Sequence, residues 1–165
     1  MRTADRVVVG TALAAVLGWV VGCGGGATTG SPTGPEGETS PETAAETFLF
    51  GAKEAYEARR AGQFTVADRA YEKMAGVFGT ENGSISRSQP AEEVRNRMLV
   101  LAACLRPLEF TIISHPDPDA WQKKQTVVTV ELLRDVGQTI LPFTVVLGRG
   151  DRWFLERIDL STFAC

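Results

Sequence analysis

Thr126–Leu147 reads TVVTVELLRDVGQTILPFTVVL, and its alternation decides the fold class. Val128, Val130 and Leu132 recur at every second position, as do Leu141, Phe143, Val145 and Leu147 after a turn over Asp135 to Gly137. Side chains of a strand point alternately to opposite faces, so each run predicts a strand with one buried face, the two paired antiparallel. Pro142 falls inside the second run and has no N–H to donate, which predicts an edge position or a bulge. Downstream, Gly148 to Arg152 predicts a further turn and Trp153 to Leu160 a closing strand paired with Gln138–Leu147. Apolar parity slips between Leu155 and Ile158, which predicts a bulge there. Upstream, Phe110 and Ile112 mark a first strand, ended by the loop His115-Pro116-Asp117-Pro118-Asp119.

Before Leu108 the period lengthens to that of a helix. Ser40-Pro41 sets a capping hydroxyl ahead of a proline at the first helical position, a strong start signal. Ala45, Phe48, Leu49, Ala52 and Tyr56 then share one face, with Glu46, Lys53, Glu54 and Glu57 elsewhere and Phe50 off the stripe. Gly62 ends this helix, and Thr65 is placed to cap a second, with Val66, Ala70, Tyr71 and Met74 along one side. Gly79 breaks the pattern, and Asn82-Gly83 predicts a sharp turn in the polar stretch that runs to Gln89. A third helix starts near Ser88 to Pro90, with Glu92 and Glu93 where the helix dipole favours negative charge. Its segment Met98–Leu105, MLVLAACL, is apolar all round and predicts burial on more than one side. Arg106-Pro107 stops it. Three helices followed by a strand meander make an α+β layout, N-terminal helices packed on a curved antiparallel sheet.

Ahead of the domain, Arg2 and Arg6 precede the apolar run Val7–Val21, broken only by Gly10, Thr11 and Gly18. That run is short for a membrane span and has the length of a signal-peptide core. The quartet that ends it, Val20-Val21-Gly22-Cys23, resembles the lipobox of bacterial lipoproteins: a branched apolar residue, a tolerant position, a small residue and a cysteine. The resemblance implies cleavage between Gly22 and Cys23 and acylation of the Cys23 thiol, with membrane lipid as the partner. Two or more acyl chains give stable anchoring where one is marginal. The alternatives are an uncleaved anchor helix or an ordinary signal peptide cut nearby. Gly24 stands where an aspartate would resemble an inner-membrane retention signal, so in a two-membrane bacterium the expected address is the outer membrane, facing the periplasm. Residues 24–40, GGGATTGSPTGPEGETS, have no apolar period and predict a disordered tether that holds the domain roughly 20–25 Å from the bilayer. The expected organisation is 1–22 signal peptide, 23–40 lipidated cysteine and tether, 41–165 folded domain.

Removing Arg2, Arg6 and Asp5 with the leader moves the net charge from −3 to −4. A mildly acidic domain of mixed charge lacks the basic face that nucleic-acid binding needs. With Cys23 consumed by lipid, Cys104 and Cys165 are an even pair in a disulfide-permissive compartment. They are candidates for a disulfide closing a long loop, the alternative being a buried free Cys104 and a frayed terminal Cys165.

The opening helix, the Ala61-Gly62-Gln63-Phe64 break into Val66–Tyr71, the long strand pair and the closing Gly150-Asp151-Arg152-Trp153-Phe154 with Ile158-Asp159 resemble nuclear-transport-factor-2-like domains. The resemblance covers roughly residues 41 to 162 and implies a cone-shaped α+β fold, one that hosts many unrelated tasks. Enzymes of that superfamily place an acid, a histidine or a tyrosine inside the cone. His115 with Asp117 and Asp119 is a weak metal-ligand set on a loop, so no metal is expected. Glu131, Glu156 and Asp159 lie on predicted strands, and any of them facing the cone could serve as a general base. Tyr56 and Tyr71 read as core residues with a hydrated hydroxyl. No phosphate loop, nucleophile elbow or paired CxxC motif is present, and no cofactor is expected. The resulting expectation is a non-catalytic binding or interaction module whose partner is a small apolar ligand or an envelope protein. The alternatives are an isomerase- or dehydratase-type enzyme with a buried carboxylate, and a structural envelope protein.

Overall fold

The structure, a computed structural model, describes residues 36–114, 117–161, 163 and 165. Cys23, the expected signal peptide, most of the expected tether and His115 lie outside the described residues. Helix α1 spans Pro41–Arg60. Ser40 is extended, its hydroxyl accepts from the Thr43 N–H, and the Thr43 hydroxyl accepts from the Ser40 N–H, a reciprocal cap. The buried face of α1 is mostly small, with Ala44, Ala45, Gly51, Ala52, Ala55 and Ala58 around Phe48 and Leu49, and Tyr56 sits half-buried at its margin. Small residues let a second helix come close. A methyl group at Gly51 would lie 2.7 Å from Met74 Cγ, so the contact between helices requires glycine there.

That second helix, α2, spans Phe64–Val77 after Gly62 turns the chain at φ +73°. Thr65 is inside its first turn rather than at its cap: Gln63 is the cap residue, without a side-chain bond. The buried stripe holds Ala70, Tyr71 and Met74 as expected, but Ala67 takes the place of Val66, which is left on the surface. Two short strands, β1 (Gly79–Thr80) and β2 (Gly83–Ser84), pair around Glu81-Asn82. The turn thus falls one residue earlier than Asn82-Gly83, because Gly83, at φ +108°, is already paired with Thr80. Helix α3, Ala91–Leu105, buries Val94, Met98, Ala102, Cys104 and Leu105. Val100 and Ala103 face solvent, so its apolar end is not buried all round.

The main sheet is antiparallel and curved, in the order β3 (Glu109–Ile112), β4 (Gln125–Arg134), β5 (Gly137–Gly148), β6 (Arg152–Ile158). The pairs Val128–Phe143, Val130–Leu141, Phe110–Leu132 and Leu147–Trp153 carry its inner face. Strand β5 lies between β4 and β6, so Pro142 is not on an edge strand. Its carbonyl accepts from the Asp159 N–H, just past the end of β6, and in an antiparallel strand a residue's N–H and C=O point the same way. The missing N–H therefore faces a position where no β6 carbonyl needs a donor. The bulge in β6 is at Glu156: Thr144 pairs with Arg157 but Val145 with Leu155. It absorbs the slip in apolar parity.

The sequence also hid two elements. A single helical turn, α4 (Ala120–Lys123), follows the proline-rich loop and sets the Trp121 ring edge-on against Trp153, centroids 5.3 Å apart. The end of the expected tether is docked: Glu38 exchanges both backbone hydrogen bonds with Trp153, and Glu36 pairs with Arg87 at 2.6 Å. Gly37, at φ +74°, packs where a methyl group would lie 2.6 Å from the Phe154 ring. The ordered domain therefore begins before residue 41. At the other end, Cys104 and Cys165 form a disulfide, Cα atoms 4.6 Å apart, across 61 residues of chain. The core lies between the helices and the inner sheet face, centred on Phe48, Met74 and Phe143, all fully buried.

Candidate functional site

The space where a cone-shaped domain would hold a reacting group is occupied by apolar side chains. Along β4 and β5, Val128, Val130, Leu132, Leu141, Phe143 and Val145 point inward and are at most 1% exposed. From the helical side Phe48 fills the gap, 6.5 Å from Phe143 and 5.7 Å from Phe78 between ring centroids. Among the described residues the buried charged side chain is Arg134 at the end of β4, its guanidinium 3.8 Å over the Phe163 ring. An aromatic face attracts a cation electrostatically, so this contact closes the end of the core.

None of the strand carboxylates enters this space. Glu131 lies on the outer sheet face, opposite Thr111 on β3 and Ile140 on β5. Glu156 is the exposed bulge residue. Asp159 is exposed just past β6, where the Ser161 N–H donates to its carboxylate at 3.0 Å and holds its pKa below the usual 3.8. In the loop, Asp117 accepts from the Lys123 ammonium and from the Asp119 N–H, both at 2.9 Å. The lysine bond is the larger cause of its lowered pKa. Asp119 stands at the start of α4 without a side-chain cap bond. These contacts are the work of a loop brace. Among the described residues no cluster of three His, Cys, Asp or Glu side chains could hold a metal ion.

The recesses lie elsewhere. A groove of about 550 Å³ runs between α1 and α2, lined by Phe50, Ala58, Val66 and the charged Lys53, Glu54, Glu57 and Lys73. Its charges neutralise one another, Lys53 with Glu57 at 2.9 Å and Lys73 with Glu54 at 3.5 Å. A smaller recess of about 240 Å³ involves α1, α2 and α3. Phe50, 55% exposed, meets Phe110 edge-on at 4.9 Å and so links α1 to the edge strand β3. An aromatic off the buried stripe is the sequence signal for such a contact. The outer sheet face exposes Val127, Leu133 and Ile140 among polar side chains that include Glu131, Thr111 and Gln138.

No family model, no curated protein and no solved structure matches the chain. Among the described residues no helix is long and apolar enough to cross a membrane.

Proposed function

We propose that the chain is a bacterial lipoprotein, held at the cell envelope through an acylated Cys23, whose domain is a non-catalytic interaction module of the nuclear-transport-factor-2-like type. The residues Val20-Val21-Gly22-Cys23 behind a basic, then apolar leader support the anchor. Helices preceding a curved four-stranded meander support the domain type. One observation carries the functional half: the interior is filled by apolar side chains, and Glu131, Glu156 and Asp159 lie outside it. An isomerase-type enzyme requires an acid in that interior, and a carrier of an apolar ligand requires room there. Among the described residues neither condition is met, which favours contact with another envelope protein through the surface.

The test has two arms. Growth with a clickable fatty acid should label the wild type and not Cys23→Ser, which should accumulate as uncleaved precursor; persistent label on the variant would refute the anchor. The mature protein purified from its host and then denatured should release no apolar small molecule at one-to-one stoichiometry. Recovery of one would refute the filled interior and with it the interaction reading.

A further inference from the structure

Strand β6 is the last of the main sheet, so the edge it turns away from β5 is where a further strand can be added. At Trp153 the chain itself takes that edge. The Glu38 N–H donates to the Trp153 carbonyl at 2.9 Å and the Trp153 N–H to the Glu38 carbonyl at 2.8 Å, an antiparallel bridge. Side chains and glycine packing select what flanks it. The Glu36 carboxylate accepts from the Ser86 hydroxyl at 2.8 Å and pairs with Arg87 at 2.6 Å, both on the helical turn Ile85–Arg87. Gly37, at φ +74°, donates to the Gly76 carbonyl at 3.0 Å, and a methyl group on it would lie 2.6 Å from the Phe154 ring and 2.8 Å from Arg152 Cβ. The Glu38 carboxylate accepts from the Thr47 hydroxyl at 2.9 Å. The acceptor, built by α1, α2, the Ile85–Arg87 turn and β6, therefore fits a carboxylate, a glycine and a second carboxylate in that order.

The geometry points to a docking site for an extended Glu-Gly-Glu segment of a partner protein, held in this chain by Glu36-Gly37-Glu38 as an internal stand-in. The inference deepens the surface contact with an envelope protein proposed above and rests on it. Backbone pairing at a sheet edge supplies affinity without regard to sequence, and the contacts beside it supply the choice of partner. Nothing apolar ties the stand-in down, since Glu36, Gly37 and Glu38 bring no apolar side chain to the core. Its ion pair reaches out to an arginine that is 73% exposed, and an ion pair open to water holds little. Tethering gives the stand-in an effective concentration on the order of millimolar, so a partner segment displaces it only at comparable concentration or with further contacts of its own. Its departure uncovers Phe154, 2% exposed while it is docked, and frees both backbone groups of Trp153 for the incoming strand.

The probe is the synthetic peptide acetyl-Thr-Gly-Pro-Glu-Gly-Glu-Thr-amide, the sequence of residues 33–39, added to the isotopically labelled purified protein. Gly37→Ala should undock the internal segment and speed hydrogen exchange of the Trp153 amide at least about tenfold, because that amide loses its acceptor on Glu38. The peptide should bind this variant saturably and restore the protection. It should bind the wild type at least about tenfold more weakly, in competition with the internal segment. A peptide with alanine in place of its glycine should bind neither. Glu36→Lys, which reverses the charge facing Arg87 and keeps the glycine, takes the place of Gly37→Ala if that variant does not fold. Wild-type protection of Trp153 in both variants would show a segment that does not leave, and would overturn the proposal. No saturable binding to an undocked variant, or equal binding of the alanine peptide, would overturn it as well, while the filled interior and the interaction reading drawn from it would stand.

Discussion

Replacing Trp153 by alanine tests the packing of the closing strand. The side chain is fully buried, its ring meets Trp121 edge-on, and its backbone is bonded to Glu38. Truncating a buried Trp costs about 3–5 kcal/mol through lost transfer and the cavity left behind. Losing the aromatic pair adds about 0.5–1.5 kcal/mol. One effect runs the other way: the buried indole N–H has no partner among the described residues, and removing it returns about 1–3 kcal/mol. The net is a loss of about 3 kcal/mol, or about 10–15 °C in the melting midpoint of a domain this size. Thermal unfolding of the purified protein, followed by far-UV circular dichroism, measures it. Trp153→Phe keeps most of the apolar area while deleting the unpaired N–H, and should lose less than half as much. A Trp153→Ala midpoint within about 3 °C of the wild type would refute the account of the core.

Asp117→Ala and Asp119→Ala, in the exposed loop, should each move that midpoint by no more than about 2 °C. The Asp117–Lys123 bond should follow pH with a defined sign. The Asp117 pKa is lowered, so its contribution is present above the ordinary value of 3.8 and lost as pH falls through the folded value. The Lys123 pKa is raised, so its contribution holds below 10.5 and is lost at higher pH. The Asp119 amide resonance should report the acid step, and Asp117→Asn should abolish it. Reducing the Cys104–Cys165 bond removes a constraint worth about 4 kcal/mol in the chain-entropy treatment, so the urea midpoint should fall and the two thiols should become alkylable together. Glu131→Gln and Glu156→Gln, on the solvated side, should leave the melting midpoint within about 2 °C of the wild type.

Much of the fold is legible because local chemistry and global packing agree. Ser40-Pro41 starts α1 by capping alone, and the every-second-residue valines of β4 need only a sheet to lie on. What escapes the sequence depends on neighbours that are distant in the chain. Pro142 suggests an edge because a proline weakens a ladder; only the end of β6 beside it shows why an interior strand accepts it. Glu36–Ser40 looks like more tether, since its few polar residues gain order from Trp153, Phe154 and Arg87, far away in sequence. The unpaired hydroxyl of Tyr71 is hidden for the same reason. A tyrosine on a buried stripe reads as core, and that its buried hydroxyl lacks a partner among the described residues appears only when the helices are assembled around it.

The docking of Glu36 to Ser40 also sets how the domain bears load. A pull arriving along the chain from its N-terminal side meets the Glu36–Arg87 ion pair and then the two Glu38–Trp153 backbone bonds before it reaches the Ser40 cap. Strain thus passes first into β6 and the tryptophan behind it, while the opening turn of α1 is shielded. Twelve residues lie between Cys23 and Glu36, at most about 45 Å of extended chain by covalent geometry. Undocking the segment would shift the point where the domain takes up a pull from a sheet edge to a helix start, so the domain would turn about a different pivot.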